Sequence, residues 1–186
     1  LVTGCLLAVF TYVFLANAWI GDDAYITFRV VDNFVNGYGL TFNPGERVQA
    51  YTHPLWMLLL SAGYVVTSNL FYTTLAVSYA FCVLALTVAF RSLKSVWRSA
   101  LFFGVLLSSK AFIDYTSSGL EYPLSFLLLC IFYCRFFSMT RNRVIASPPD
   151  LIVFGGIASL AFLNRSDSIL LYAAPLAYLA WTCWPA

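Results

Sequence analysis

Charge is scarce in this chain. Asp, Glu, Lys and Arg make up 10% of its 186 residues, against about 25% in a soluble domain. No charge occurs from Leu1 to Ile20 or from Pro54 to Phe90. Hydrocarbon of ~30 Å needs roughly 20 apolar residues as helix, so runs of this length exclude a soluble helical core and imply an integral membrane protein. Histidine is nearly absent too. His53 stands alone, so no second histidine is there to share a metal, and a phosphate, sugar or structural contact is favoured over a metal ligand. Five cysteines are an odd number, and Cys5, Cys82, Cys130, Cys134 and Cys183 all lie in apolar runs. Cys130 and Cys134 are one helical turn apart but have no His, Asp or Glu at ligand spacing, so they read as packed thiols. Walker loop, Rossmann glycine pattern, zinc-spaced Cys/His set and serine elbow are all missing. A soluble nucleotide-sugar enzyme is unsupported. The small basic patches do not imply nucleic acid.

What charge there is collects in a few places. Residues 2–20 read as a first span, without the basic start or clean cleavage site of a signal peptide. The polar segment Gly21–His53 follows, with Asp22, Asp23, Arg29, Asp32, Glu46 and Arg47. Arg91, Lys94 and Arg98 end the next apolar stretch. Segments 99–115 and 120–137 flank a hinge at Tyr115–Glu121. Arg135, Arg141 and Arg143 form a second basic cluster before Pro148-Pro149. Segments 151–164 and 168–184 flank Asn164-Arg165-Ser166-Asp167. No internal repeat or low-complexity tract is present.

Basic clusters mark the cytoplasmic side. That rule puts both clusters inside, and 21–53, 115–121 and 164–168 together outside. Parity then requires 54–90 to cross an odd number of times. Pro54–Ser68 would give ~22 Å of helix, so it is expected as a partial or interfacial helix packed beneath the loop, with Asn69–Phe90 crossing. Two full crossings, with one basic cluster outside, is the competing arrangement. The expected architecture is an all-α membrane protein, a multi-span helical bundle with interfacial helices in the first outer loop. The start inside an apolar segment, without Met, reads as an N-terminal transmembrane module (1–186) of a longer chain.

Each polar connection offers chemistry. Asp22 or Asp23 would cap a helix ending near Asn36, where Gly37 and Gly39 stop it. Ile26, Val30 and Phe34 would form its apolar stripe, with Phe28, Val31 and Val35 beside it. Adjacent carboxylates repel, which suits a general base or a divalent cation site; a plain acidic helix start is the alternative. Asn43-Pro44-Gly45 is a turn. His53, at the membrane boundary beside Tyr51 and Trp56, fits a phosphate or sugar contact, or a structural hydrogen bond. Glu121 follows a glycine and starts a span, where the helix dipole favours an acid. Arg165 suits a lipid phosphate, since guanidinium pairs with phosphate oxygens bidentately, or a simple pair with Asp167.

Taken together these motifs are familiar. Asp22-Asp23-Ala-Tyr-Ile with Arg29, Asn33-x-x-x-Gly37-x-Gly39, Phe42-Asn-Pro-Gly-Glu46, Tyr51-Thr-His-Pro-Leu-Trp56 and Ser118-Gly-Leu-Glu-Tyr-Pro-Leu124 resemble a bacterial branch of the GT-C glycosyltransferase superfamily. That branch is similar to the mycobacterial terminal arabinofuranosyltransferases. Asn164-Arg165-Ser166-Asp167 is a looser match to its Arg-Pro-acid motif, with Ser166 where proline is usual. The resemblance implies a cell-wall glycosyltransferase of the bacterial inner (plasma) membrane. It implies a polyprenyl-phosphate sugar donor, a glycan or lipid acceptor, inverting displacement and a site facing the periplasm. It implies Asp22 as general base with Asp23 as neighbour or substitute. The substrate contacts would be Arg29, His53, Glu121, Arg165 and Asp167, and Mg or Mn at Asp22 and Asp23 is left open. The competing functions are a transporter or flippase for a lipid-linked sugar and a non-catalytic membrane assembly subunit.

Overall fold

In the computed structural model, residues 2–46 and 48–183 are described; Leu1, Arg47 and Trp184 to Ala186 lie outside them. The described residues form nine α-helices and no strand: α1 (Val2–Ala16), α2 (Asp22–Val35), α3 (Pro54–Thr67), α4 (Leu70–Leu93), α5 (Val96–Ser108), α6 (Lys110–Ser117), α7 (Tyr122–Arg141), α8 (Pro148–Asn164) and α9 (Ile169–Cys183), with one 3-10 turn at Ser166–Ser168. This is the expected all-α class. Helices α4 and α7 are each long and apolar enough to cross a membrane, and α5 with α6 adds a third if the bent pair is one span.

Helices α4 and α7 form the axis. Cys82, Ala85 and Leu86 share one apolar cavity with Leu129 and Cys130, while Arg91 and Lys94 border another with Arg141 and Asn142. Both pairings rise together, so the two helices run parallel. Helix α8 returns antiparallel to α7, because Asn164 meets Ser125, Phe154 meets Phe132 and Asp150 meets Arg135. Helix α9 comes back alongside, with Tyr172 edge-on to Phe132. Trp56, Phe132, Phe154 and Tyr172 sit in this core, fully buried. Helix α1 packs on α4 through Phe10, Phe14 and Tyr79, and Thr11 shares a 2.8–2.7 Å hydroxyl chain with the Leu7 carbonyl and Tyr79.

Several boundaries differ from expectation, each for a local reason. Helix α1 ends at Ala16, short of residue 20, because the Asn17 amide folds back onto the Val13 carbonyl. Trp19 then ties to α6 through its indole N–H and the Asp114 carbonyl, 3.0 Å. Segment 99–115 is not one helix. It bends by 82° between α5 and α6, where the Ser109 hydroxyl caps the second helix by accepting from the Phe112 N–H. Asp22 and Asp23 do not cap α2; Gly21 does, and the two acids occupy its first turn, a favourable place for negative charge. The apolar stripe of α2 is also rotated. Ala24, Phe28, Val30 and Val31 are buried, whereas Ile26 and Phe34 are exposed.

The break between α3 and α4 falls where expected, with Ser68 left-handed at the end of α3 and the Asn69 side chain capping α4. Their relative arrangement adds something the sequence did not. A Cβ on Gly63 would press on Thr73, and Trp56 meets Phe81 at 6.3 Å. Residues at matching distances from the turn face each other, so α3 folds back antiparallel along α4. It also packs against α2, as expected of a helix beneath the polar loop, through the shared core of Phe28, Val31, Trp56, Met57 and Leu60.

Candidate active site

Four helix boundaries meet at one end of the α4–α7 axis. They bring Asp23 in the first turn of α2, His53 at the start of α3, Glu121 at the start of α7 and Arg165 between α8 and the 3-10 turn. The cavity between them has a volume of about 740 Å³ and is lined by Asp23, Thr27, residues 49–53, Leu120 to Tyr122 and Arg165 to Asp167. All three polar connections therefore border one space.

The 118–121 turn closes it from one side. The Gly21 N–H donates to the Ser118 carbonyl at 2.8 Å, and the buried Trp56 indole N–H donates to the Gly119 carbonyl at 3.0 Å. Gly119 has φ +86°, and a Cβ there would lie 2.8 Å from the Ala24 Cβ. Glycine is needed here both for its backbone conformation and for the close approach of α2. Asn164, fully buried, donates to the Glu121 carbonyl at 3.0 Å and to the Ser125 hydroxyl at 2.9 Å. The start of α7 is thus fastened to the end of α8.

Within this frame the side chains form a chain of contacts. The Thr27 hydroxyl and His53 Nε2 are 2.8 Å apart. His53 Nδ1 lies 3.5 Å from Glu121 Oε2, and Arg165 lies 3.5 Å from Glu121 Oε1. Arg165 also donates to both carboxylate oxygens of Asp167, at 2.7 and 3.0 Å, and its guanidinium sits 4.9 Å over the Tyr122 ring. His53 and Glu121 are 8% and 7% exposed. Burial lowers the His53 pKa from its ordinary value, against the opposing pull of Glu121. A neutral imidazole follows near pH 7. The network then assigns Nδ1–H toward Glu121 and leaves Nε2 to accept from Thr27. Pairing with Asp167 raises the Arg165 pKa and lowers that of Asp167, so this ion pair persists across the whole physiological range.

The expected site residues divide. Asp23, His53, Glu121, Arg165 and Asp167 line the cavity. Asp22 is exposed and does not line it; its carboxylate accepts from the Asp23 N–H at 3.1 Å. Arg29 is elsewhere, donating to the Phe42 carbonyl at 3.4 Å beside Asn33, which holds the Thr41 and Phe42 carbonyls. Both His53 nitrogens have protein partners. Thr27 and Tyr122 also line the cavity, and Trp56 braces its 118–121 turn from the core. Thr27 lies one helical turn beyond Asp23, so helical spacing alone could have pointed to it. As for a metal, no three His, Cys, Asp or Glu side chains cluster among the described residues. Asp22 and Asp23 are neighbours in the first turn of α2, with no third such ligand clustered beside them.

Comparison with known proteins bears on this arrangement. A stretch of 123 residues, 61% of the chain, is 34% identical to the terminal beta-(1->2)-arabinofuranosyltransferase of Corynebacterium glutamicum and covers 18% of it. A stretch of 45 residues, 24% of the chain, is 49% identical to the terminal beta-(1->2)-arabinofuranosyltransferase of Mycobacterium tuberculosis and covers 7% of it. The similarity is to glycosyltransferases. It supports a glycosyltransferase role in general. The chain matches less than a fifth of the length of either relative. No family model matches it, and no solved structure does.

Proposed function

We propose that this chain forms the catalytic end of a membrane glycosyltransferase of GT-C type. It moves a sugar from a polyprenyl-phosphate donor to a glycan or lipid acceptor on the outer face of the bacterial inner membrane. The observation that carries the proposal is the single cavity lined both by Asp23, whose carboxylate has no ion pair among the described residues, and by the held guanidinium of Arg165. The names of the relatives make arabinofuranosyl the sugar to test first.

The reaction is an inverting displacement at the anomeric carbon. A hydroxyl is a poor nucleophile until its proton begins to leave. The acid pair at the start of α2 takes that proton, with Asp23 in the cavity and Asp22 beside it. A positioned carboxylate typically contributes about 10²–10⁴-fold. The acceptor oxygen bonds to the anomeric carbon as the bond to the phosphate oxygen breaks, and the polyprenyl phosphate leaves with the electron pair. Arg165 stabilises the departing anion, and the starts of α2, α3 and α7 add positive helix-dipole potential at the same cavity. Glu121 and Asp167 fix the guanidinium plane, and His53 fixes Glu121. Oxygens of the donor phosphate would have to complete any cation shell at Asp22 and Asp23, and no step above depends on one.

The test is transfer of labelled arabinofuranose from a polyprenyl-phosphate donor by the full-length protein in membranes. Asp23→Asn keeps shape and removes the base, and should cut transfer by at least about a hundredfold while leaving membrane insertion intact. Loss confined to Asp22→Asn would assign the base to Asp22, as the family resemblance implies. Full activity in the Asp22→Asn, Asp23→Asn double variant would overturn the catalytic reading.

A further inference from the structure

The end of the α4–α7 axis away from the catalytic cavity holds a second polar cavity, of about 760 Å³. Parallel packing makes α4 and α7 finish side by side there. Arg91 and Lys94 come from the end of α4, Arg135 and Arg141 from the end of α7, and Asp150 from the start of α8. Four cations therefore line it against one carboxylate. That carboxylate is already committed. Asp150 accepts from the Ser147 hydroxyl at 2.6 Å and from Arg135 at 2.7 Å, and these bonds hold its pKa down to about 2, the Ser147 hydroxyl foremost. Among the described residues Arg91, Lys94 and Arg141 make no ion pair. The carbonyl ends of two helices attract them, but about half a charge per helix end leaves a positive remainder.

We propose that this cavity binds the phosphate of an anionic phospholipid headgroup. Its place along the fold argues for a lipid rather than a soluble anion. From Tyr122 to Arg141, α7 is 20 residues long, ~30 Å of helix, the thickness of the hydrocarbon core. The basic cavity thus opens at headgroup depth when the catalytic cavity lies at the opposite surface. Basic pockets between transmembrane helices at the cytoplasmic side are a chemical match for lipid phosphates. The bland explanation is that these cations only set topology. Topology needs charges in the loop and no particular convergence. Arg98 and Arg143 meet that need without lining the cavity, and so supply the control.

The experiment uses the full-length protein in nanodiscs containing phosphatidylglycerol and phosphatidylcholine in equal parts, with retained lipid read by native mass spectrometry. The protein should retain phosphatidylglycerol over phosphatidylcholine by at least about tenfold, since each juxtamembrane cation is worth roughly fivefold. The Arg91→Gln, Lys94→Gln, Arg141→Gln variant should lose that preference, and the Arg98→Gln, Arg143→Gln variant should keep it. Equal losses in both variants would reduce the effect to diffuse surface charge and overturn the site. Displacement of the lipid by millimolar inorganic phosphate would assign the cavity to a free anion instead. The thermal midpoint of each variant is measured alongside. A triple variant that fails to fold is replaced by the three single variants, each expected to lose roughly fivefold; no loss in any of them equally overturns the site. None of these residues belongs to the catalytic cavity, so sugar transfer can fail while lipid retention holds, or the reverse.

Discussion

Glu121 faces His53 at 3.5 Å through one carboxylate oxygen while the other faces Arg165 at the same distance. One buried acid thus couples the start of α3 to the loop after α8. Its own helix start is fixed by Asn164, which donates to the Glu121 carbonyl. Glu121→Gln keeps the volume but removes the charge that both partners meet. Arg165 is partly exposed and keeps Asp167, so solvent screens the loss of its second counter-charge and the main effect is on its position. Transfer activity is expected to fall at least about tenfold, with a lowered thermal midpoint. Unaltered activity and midpoint would show that the contact is incidental.

His53 gives a pH test with an unusually clean window, because the chain has one histidine. Its folded pKa is lowered by burial, so between the unfolded value near 6.5 and the folded value the unfolded chain binds more protons. Stability contributed by the neutral imidazole is full above about pH 6.5 and is lost as pH falls through that window. Thermal melts of the protein in detergent should show the midpoint dropping from pH 7 to pH 5. Asp150 and Asp167, held low by their partners, titrate below that range. His53→Gln should flatten the drop; a variant that retains the full pH dependence would place the titrating group elsewhere.

Gly119 is the position where backbone and packing both forbid a side chain. Gly119→Ala must hold φ +86° and push against Ala24, whose Cβ cannot rotate away. A left-handed non-glycine residue costs about 1–3 kcal/mol. The shift of α2 that relieves the clash would also move Asp23. Lower stability and lower transfer should therefore appear together. Loss of stability with normal transfer in the surviving folded protein would separate the turn from the site.

Much of this was legible from the sequence, and the failures have physical causes. The charge-free runs and basic clusters gave the helical class and the convergence of the three polar connections, because hydrocarbon imposes those patterns strongly. The α3–α4 break at Ser68 and Asn69 was legible from helix length and parity. The bend at Ser109 was not, because Ser109 and Lys110 interrupt an otherwise apolar run only briefly, and a capping serine looks like any other serine until its partner N–H is placed. The rotation of α2 that aims Asp23, not Asp22, into the cavity depends on packing against Trp56 and Leu60. Neighbouring acids at a helix start differ by about 100° around its axis, and tertiary contact decides which one faces the site. Arg29 shows the same dependence on tertiary contact: the fold carries it to the Phe42 turn, away from the cavity that Asp23 lines.

Arg165 supplies the last prediction. Its guanidinium is already bidentate to Asp167, near Glu121 and stacked over Tyr122, so its plane is fixed before any ligand arrives. Preorganised charge aimed at a developing anion stabilises the transition state at no further reorganisation cost. Arg165→Ala should then raise the apparent donor constant and lower turnover, each by about tenfold or more, since a charge-assisted hydrogen bond contributes about 1.5–3 kcal/mol. Arg165→Lys keeps the charge but cannot bridge both Asp167 oxygens in one plane or stack on Tyr122. It should recover donor binding more than turnover. Asp167→Asn separates holding from binding: it leaves the cation and frees the guanidinium to rotate, so turnover should fall while the donor constant changes little. If Asp167→Asn instead weakens donor binding as much as Arg165→Ala does, Asp167 itself contacts the donor. An unchanged donor constant in Arg165→Ala would make the arginine a structural link between α8 and the start of α7.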